Sequence, residues 1–398
     1  MKQVVLNCFI PFLLAICFVY GLAFHSDFNR MLWPEKHSGP ASAPSFDLVT
    51  NFNSQEAIEN QFLADDSSRA VIFLLGSSEL VNSSSAVPYR FISSRFSTKV
   101  KAIGHAGNQC FSMFTQLLAN SQRLKGAPVV FIISPGWFES KNSKGTSSEL
   151  FLEYNSERFL NLIQENPADD PFKKYACKRV SEMYSDFNSP NLPLRLMNTA
   201  HLSSKSVFHQ MCFAPGCAFD RMLLGMKENL VSYAPLPGID KRIPLTADSN
   251  SIPWDSLFDA GRTDAARKST NNSMGINDAY YNEHIHGKTG KIEPVEAGHN
   301  QELEDFKMLL RLAREKKINA SFIISPLNAL YYKNLPDINP TMSLVENEIK
   351  NANFPYLNLL CTDSTRYEKP VLTDIMHMAD YGWYLTDKFI VSTYHLSR

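Results

Sequence analysis

The sequence predicts an α/β protein, a flavodoxin-like three-layer sandwich with about five parallel strands, a large insertion that is mostly helical or irregular, and one N-terminal transmembrane helix. Three observations carry this prediction. Short apolar runs end at glycine, serine or proline, as strands buried on both faces of a parallel sheet do. Segments with helical spacing of apolar residues separate several of these runs. The alternation lapses over one long stretch and then returns.

The first 27 residues are predicted to anchor the chain in a membrane. From Val4 to Phe24 the residues are apolar apart from Asn7, and this length matches one bilayer crossing. A buried core helix seldom begins a chain without a polar face, and the cleavage site of a signal peptide is poorly matched here. Residues 28–69 are expected to form a linker, which leads to one large domain over residues 70–398.

An unbroken apolar run from Ala70 to Leu75 predicts the first strand, and Gly76, Ser77 and Ser78 follow it. In open α/β sheets the ligand crevice lies beyond the carboxyl ends of the strands, so hydroxyl groups at this position would face a site. A helix that begins there would also offer backbone N–H groups to a developing oxyanion. Alternatively, one of the two serines only caps that helix.

Two more strands are predicted before the chain leaves the sheet, at Thr98–Ile103 and Val129–Ile133, with an amphipathic helix between them. The Gly-rich connection 104–109 could bring a backbone N–H close to a reacting carbonyl, although a plain strand-to-helix turn has the same composition. The pentapeptide Phe-Ile-Ile-Ser-Pro occurs at 131–135 and again at 322–326. We expect both copies to end at the same edge of the sheet, which would form the rim of the site.

An insertion at residues 138–300 interrupts the alternation and is expected to form a cap over the strand ends. Cys212 and Cys217 flank Phe-Ala-Pro-Gly, a predicted turn that could bring the two thiols within bridging distance in an oxidising compartment. Four polar or aromatic residues of the insertion could line a substrate cleft or only order a long loop. They are Asn271, Asn272, Tyr280 and Tyr281.

Regular α/β spacing returns after residue 300. The apolar positions predict a helix at 301–317, strands at Ala320–Ser325 and Tyr356–Leu360, and a helix at 342–352 between those two strands. A final helix is expected from Asp380 and would complete the sandwich.

Asp374 and His377 stand just before this final helix. An acid three residues before a histidine can lie one turn away, accept from one imidazole nitrogen and leave the other to take a proton from a serine. By itself such a pair is usually part of an ordinary surface loop. Together with an early strand-end serine, the pair indicates a catalytic triad.

This layout resembles the SGNH, or GDSL-like, hydrolases and acyltransferases. Gly76-Ser77-Ser78 stands where that superfamily has Gly-Asp-Ser, so the resemblance assigns the nucleophile to Ser78, with Ser77 in place of the usual aspartate. It also assigns an oxyanion contact to Gly107. The asparagine that a third superfamily block supplies to the oxyanion hole has no counterpart in the segment 134–137.

A longer set of motifs resembles the DltD family, which acts in D-alanylation of lipoteichoic acid at the bacterial envelope. The motifs occur in family order over most of the chain. They are the N-terminal apolar segment, Gly-Ser-Ser-Glu-Leu at 76–80, Ser-Pro-Gly-Trp-Phe at 134–138, Asn-Asn-Ser-Met-Gly-Ile at 271–276 with two tyrosines after it, and Asp374 and His377 followed by Gly-Trp at 382–383.

The resemblance implies a membrane-anchored serine acyl-transfer enzyme whose catalytic domain lies outside the cytoplasm. It would receive D-alanine through a membrane acyltransferase partner and pass it to an anionic envelope polymer. Two alternatives stay open. One is a thioesterase or O-acetyl esterase with the same triad, and the other is a non-catalytic membrane scaffold that recruits an acyl carrier.

Composition also limits the classes of binding partner and cofactor that the sequence predicts. Lys and Arg number 39 against 40 Asp and Glu, so there is no basic field that would favour nucleic acid. The sequence has neither a phosphate-binding Gly-rich loop with lysine nor Cys and His spacing typical of zinc sites. We therefore expect no cofactor and no metal.

Overall fold

The computed structural model describes residues 10–24, 70–104, 106–184, 191–203, 206–230 and 252–396. The chain divides into two compact units. The sheet unit contains Asp47–Asn155 and Arg242–Arg398, and the helical unit contains Met1–Phe46 and Ser156–Lys241. The insertion predicted at 138–300 is therefore shared between the two units, while the linker predicted at 28–69 lies outside the described residues.

Five parallel strands form the sheet, in the order β2-β1-β3-β4-β5. They are β1 Ala70–Leu75, β2 Thr98–Ile103, β3 Pro128–Ile133, β4 Asn319–Ile324 and β5 Tyr356–Asn358. This order is the one found in flavodoxin-like folds. The prediction of an α/β fold with about five parallel strands is confirmed.

The helices lie close to their predicted positions in the sheet unit, and several shorter ones fill the insertion. In chain order they are α1 Ile10–Phe24, α2 Pro88–Arg95, α3 Cys110–Ala119, α4 Ser148–Tyr154, α5 Glu157–Glu165, α6 Pro171–Met183, α7 Leu192–Leu202, α8 Val207–Leu230, α9 Trp254–Lys268, α10 Asp278–Tyr280, α11 Gln301–Glu315, α12 Asn339–Asn351 and α13 Asp380–Thr393.

Helices cover both faces of the sheet. The connection through α2 runs from β1 to β2, and the connection through α3 runs back across β1 to β3. Because such crossovers are right-handed, α2 and α3 lie on opposite faces. The last helix, α13, packs against α2, and α11 packs against α3. The inner strands β1 and β3 are consequently buried on both sides, which explains why they are apolar without alternation.

The repeated pentapeptide occupies neighbouring strands in matched register. Phe131 pairs with Phe322 and Ile133 with Ile324 in the β3–β4 ladder, and the two phenylalanine rings stack with centroids 5.1 Å apart. Ser134 and Ser325 then follow the two strand ends. The prediction that both copies end at one edge of the sheet is confirmed.

The helical unit contains the described part of the predicted membrane segment. From Ile10 onward this segment forms α1, which packs against α8 and leaves Phe12 and Leu14 more than 60% exposed. No helix in the described ranges is at once long enough and apolar enough to span a bilayer.

The turn predicted between Cys212 and Cys217 is wrong. These residues belong to α8, which continues through Pro215. Positions five apart on a helix point in well-separated directions. Cys212 is accordingly exposed, Cys217 is buried, and both thiols are free.

Candidate functional site

The chain turns sharply where β1 ends, and two polar contacts hold this turn. The backbone N–H of Gly76 donates to the carbonyl of Ile103 (3.1 Å), and the buried Asn108 amide donates to the carbonyl of Gly76 (2.9 Å). A short 3₁₀ helix, Ser78–Leu80, begins directly afterwards. Ser78 thus stands on a fixed turn at the carboxyl end of a central strand.

Gly107 lies beside this turn, but its N–H is already engaged. It donates to the hydroxyl oxygen of Ser77 at 3.1 Å. A side chain at this position would meet Leu150 at 2.3 Å, and φ is +87°, so glycine is required. The N–H of Ser78 itself finds no acceptor in the part of the chain that the structure describes. Of these two N–H groups, that of Ser78 is therefore the one available to an incoming oxyanion.

A second turn, after β5, carries the acid and the histidine. One oxygen of Asp374, Oδ1, accepts the backbone N–H groups of Met376 (2.8 Å) and His377 (2.7 Å). The N–H of Thr373 donates to the carbonyl of His377 at 2.9 Å. These bonds close the turn and leave the other oxygen of Asp374 free to face the imidazole.

The structure brings Ser78, His377 and Asp374 together, although the serine and the histidine are 299 positions apart. Asp374 Oδ2 lies 2.7 Å from His377 Nδ1, and His377 Nε2 lies 3.0 Å from Ser78 Oγ. Both distances are within hydrogen-bond reach. The contact with Asp374 favours the tautomer that has its proton on Nδ1 and a lone pair on Nε2, facing the serine.

Direct contacts fasten the two turns to each other and to the sheet unit. The hydroxyl of Ser84, just beyond the turn that carries Ser78, donates to Asp380 at 2.5 Å. The N–H of Asn277 donates to Thr373, and the N–H of Asn328 donates to Ile375. The geometry of the three side chains therefore rests on segments from four parts of the chain.

Asp374 and His377 shift each other's pKa in opposite directions. Burial acts to raise the pKa of Asp374, but the hydrogen bond and charge of His377 and two backbone N–H groups outweigh it and hold that pKa below its usual value. Burial acts to lower the pKa of His377. The hydrogen bond and charge of Asp374, with a smaller effect of Glu79, outweigh this and raise the pKa of His377 above 6.5.

A cavity of about 330 Å³ opens onto the serine and the histidine, a volume within the range of small-molecule sites. Ser134 and Ser325 contribute to its wall. So do Glu79, Glu139, Lys141 and Tyr332, which were not predicted as site residues. Glu79 belongs to the Gly-Ser-Ser-Glu-Leu motif, which was a signal that could have pointed to it. No sequence pattern pointed to the other three.

Asn271 and Asn272 order a loop rather than line this cavity. Asn272 accepts the N–H groups of Met274 and Ile276 and donates to the carbonyl of Ile276. The N–H of Asn271 donates to Asp278. Tyr280 and Tyr281 pack against His284 and His286 respectively and are also absent from the cavity wall.

Comparison with known proteins places the chain in a family. The family described as DltD protein matches residues 45–395, which is most of the sequence. The chain belongs to the DltD family. A DltD protein of Staphylococcus aureus (strain NCTC 8325 / PS 47) is 23% identical over 312 residues, covering 73% of this chain and 72% of that protein.

Two further relatives support the same family. The DltD protein of Bacillus subtilis (strain 168) is 22% identical over 305 residues and covers 74% of this chain and 75% of its own length. That of Lacticaseibacillus rhamnosus is 21% identical over 403 residues, covering 96% of this chain and 89% of the relative. This last alignment covers nearly the whole chain, so the similarity is not confined to one motif.

Proposed function

We propose that this protein is a membrane-anchored serine acyl-transfer enzyme that esterifies an anionic envelope polymer with D-alanine. The observation that carries the proposal is the unbroken chain of contacts from Asp374 through His377 to Ser78 at the mouth of a cavity. Membership of the DltD family supports D-alanine as the acyl group and a teichoic acid as the class of acceptor.

In the first half of the reaction, Ser78 Oγ attacks the carbonyl carbon of an activated D-alanyl donor while His377 Nε2 takes the hydroxyl proton. Asp374 holds the imidazole in place and stabilises the imidazolium that forms. The N–H of Ser78 donates to the oxyanion, and we assign a second contact to Gly107, which must first release Ser77. Collapse of the tetrahedral intermediate expels the donor group, which receives the proton from His377.

In the second half, a hydroxyl of the polymer attacks the D-alanyl ester on Ser78. His377 now takes the proton of that hydroxyl and returns it to Ser78 Oγ as the serine leaves. The product is a D-alanyl ester of the polymer. Each ester adds one ammonium group to an anionic chain, which lowers the negative charge of the envelope.

The test replaces Ser78 in cells that depend on this chain for their envelope esters. We expect Ser78→Ala to abolish alkali-labile D-alanine while the protein stays at wild-type abundance in the membrane fraction. Ser85→Ala is the matched control, because Ser85 is an exposed serine in the same segment and does not line the cavity. Normal ester content with Ser78→Ala would reject the proposal and favour the scaffold alternative.

A second measurement separates transfer from hydrolysis. Purified protein is given a D-alanyl thioester with and without teichoic acid, and free D-alanine is counted against polymer-bound D-alanine. We expect the polymer to receive the acyl group. Release of free acid at the same rate without the polymer would instead indicate a thioesterase or esterase.

A further inference from the structure

Glu79, the residue after the nucleophile, is a buried carboxylate that the proposed reaction has not yet used. Only 6% of its surface is exposed, and it lines the cavity that Ser78 and His377 share. A buried charge is costly unless hydrogen bonds or an opposite charge compensate it. The contacts of Glu79 should therefore reveal what holds it there.

The side chain of Glu79 folds back over the turn that presents the nucleophile. Its Oε1 accepts the backbone N–H of Ser77 at 2.7 Å. A Cβ atom added to Gly76 would lie 2.7 Å from the same oxygen, so the turn leaves room for the carboxylate only because residue 76 is glycine. Glu79 thus fixes the backbone on the N-terminal side of Ser78.

Glu79 follows Ser78 in the chain, Ser78 Oγ lies 3.0 Å from His377 Nε2, and all three residues line the same cavity. Within the described ranges, no lysine or arginine lies within ion-pair distance of the Glu79 carboxylate. Burial raises the pKa of Glu79, and besides backbone N–H groups the one group that opposes this is His377. The same coupling acts in reverse, because Glu79 and Asp374 are the two carboxylates that raise the pKa of His377.

We propose that Glu79 is a positioning residue with two roles. One carboxylate oxygen holds the turn that carries Ser78 by accepting the N–H of Ser77. Its negative charge, together with that of Asp374, stabilises protonated His377. The inference rests on the proposed function, since it concerns the proton that His377 takes from Ser78. It assigns to the site a carboxylate pair around one imidazole. Asp374 is hydrogen-bonded to the ring, and Glu79 acts through space.

A purely structural role would need the hydrogen bond and not the charge, and glutamine separates the two. Glu79→Gln keeps a carbonyl oxygen that can accept the Ser77 N–H and removes only the negative charge. Removing a buried charge that has no ion-pair partner is not expected to unfold the chain. Glu139→Gln is the matched control, because Glu139 lines the same cavity but is not among the groups that shift His377. Lys141 and Tyr332, the other titratable groups of the wall, stay unchanged in every variant.

The experiment measures the rate at which a fluorophosphonate labels Ser78 in the full-length chain in detergent, as a function of pH. Ser78 Oγ displaces fluoride from phosphorus while His377 takes the proton, so the rate falls at low pH as His377 becomes protonated. We expect the acid limb of Glu79→Gln to move to lower pH, with a lower plateau rate. Below the wild-type midpoint, the variant to wild-type ratio should rise about threefold or more above its plateau value.

The labelling experiment distinguishes failure of the role of Glu79 from failure of the proposed function. An acid limb at the wild-type position in Glu79→Gln, or an equal displacement in Glu139→Gln, overturns the charge role. A Glu79→Gln chain that fails to fold also overturns the proposal, because the charge would then be needed for structure. If the wild-type Ser78 itself is not labelled, the proposed function fails rather than the role of Glu79.

Discussion

Two turns at the carboxyl edge of the sheet build the site, and they use the same device with different results. In the nucleophile turn, the carboxylate of Glu79 accepts the N–H of Ser77. In the acid–histidine turn, the carboxylate of Asp374 accepts the N–H groups of Met376 and His377. Both carboxylates are buried, yet the pKa of Glu79 is raised and that of Asp374 is lowered.

The difference lies in how completely each carboxylate is hydrogen-bonded. Asp374 receives two backbone N–H groups on one oxygen and the imidazole on the other, which together outweigh the cost of burial. Glu79 receives fewer donors and meets His377 only through space. The direction of each pKa shift is therefore set by hydrogen bonds and the charge of His377 together with burial, and not by burial alone.

The comparison of the two turns predicts its largest effect for Asp374→Asn. The amide keeps an oxygen for the backbone N–H groups but loses the charge that supports the imidazolium, so we expect Ser78 labelling to slow by roughly 10³- to 10⁴-fold. Asp363→Asn is the control, because Asp363 also accepts the N–H of the residue two positions on, in an exposed loop. A loss of less than about tenfold in Asp374→Asn would show that Asp374 only shapes its turn.

The next prediction tests whether the turn that carries Ser78 is rigid. Gly104 has φ of +132°, and a Cβ there would lie 1.9 Å from the carbonyl oxygen of Gly76. We expect Gly104→Ala to lower the free energy of unfolding by about 3 kcal/mol and to slow labelling of Ser78.

Gly126→Ala provides the comparison for Gly104→Ala, because φ is also positive at Gly126 but no atom lies within 4 Å of its added Cβ. We expect Gly126→Ala to lower the free energy of unfolding by about 1–2 kcal/mol, because only the positive φ is unfavourable there. Urea unfolding of both variants measures the difference. An equal loss of unfolding free energy in the two variants would mean that the backbone at Gly76 shifts to make room for the added methyl group.

A smaller effect is expected from Ser77→Ala. The variant removes the acceptor of the Gly107 N–H, so we expect the free energy of unfolding to fall by about 1 kcal/mol, with labelling of Ser78 within roughly threefold of wild type. A labelling rate that rises more than about tenfold would contradict this, because it would show that the Ser77 hydroxyl blocks an oxyanion donor.

The mildest prediction concerns pH. Since the pKa of His377 is raised, its protonated form persists above pH 6.5, and Ser78 labelling should reach half its plateau at a pH above that value. The acid limb should move to lower pH in Asp374→Asn, which loses the largest stabilising partner. A wild-type midpoint below 6.5 would mean that burial outweighs both carboxylates.

Much of the sheet could be predicted from the sequence, and so could the three residues that the structure brings together in the candidate site. The apolar runs of β1 and β3 are continuous because helices cover both faces, and burial on both faces leaves a clear pattern. The positions of Ser78, Asp374 and His377 follow from motifs whose spacing is local, and the fold then brings distant motifs to one edge.

The missed features depend on contacts that leave no local pattern. The bond between Gly107 and Ser77, the fold-back of Glu79 and the presence of Glu139 in the cavity wall each need the three-dimensional path of the chain. The mistaken turn at Cys212 has another cause. Proline and glycine usually end helices, but Pro215 lies within α8, where tertiary packing outweighs local propensity.

The distance along the chain between Ser78 and His377 has a consequence for biosynthesis. The nucleophile turn and β2 are neighbours in sequence, whereas the base arrives 299 positions later. Pairing of β4 with β3 must also wait until the chain returns at Asn319, and contacts of such long sequence separation form late in folding. Until then, Ser78 has no imidazole beside it. In the proposed reaction, Ser78 becomes a nucleophile only when the C-terminal segment docks, so a truncated chain would carry the serine without its base.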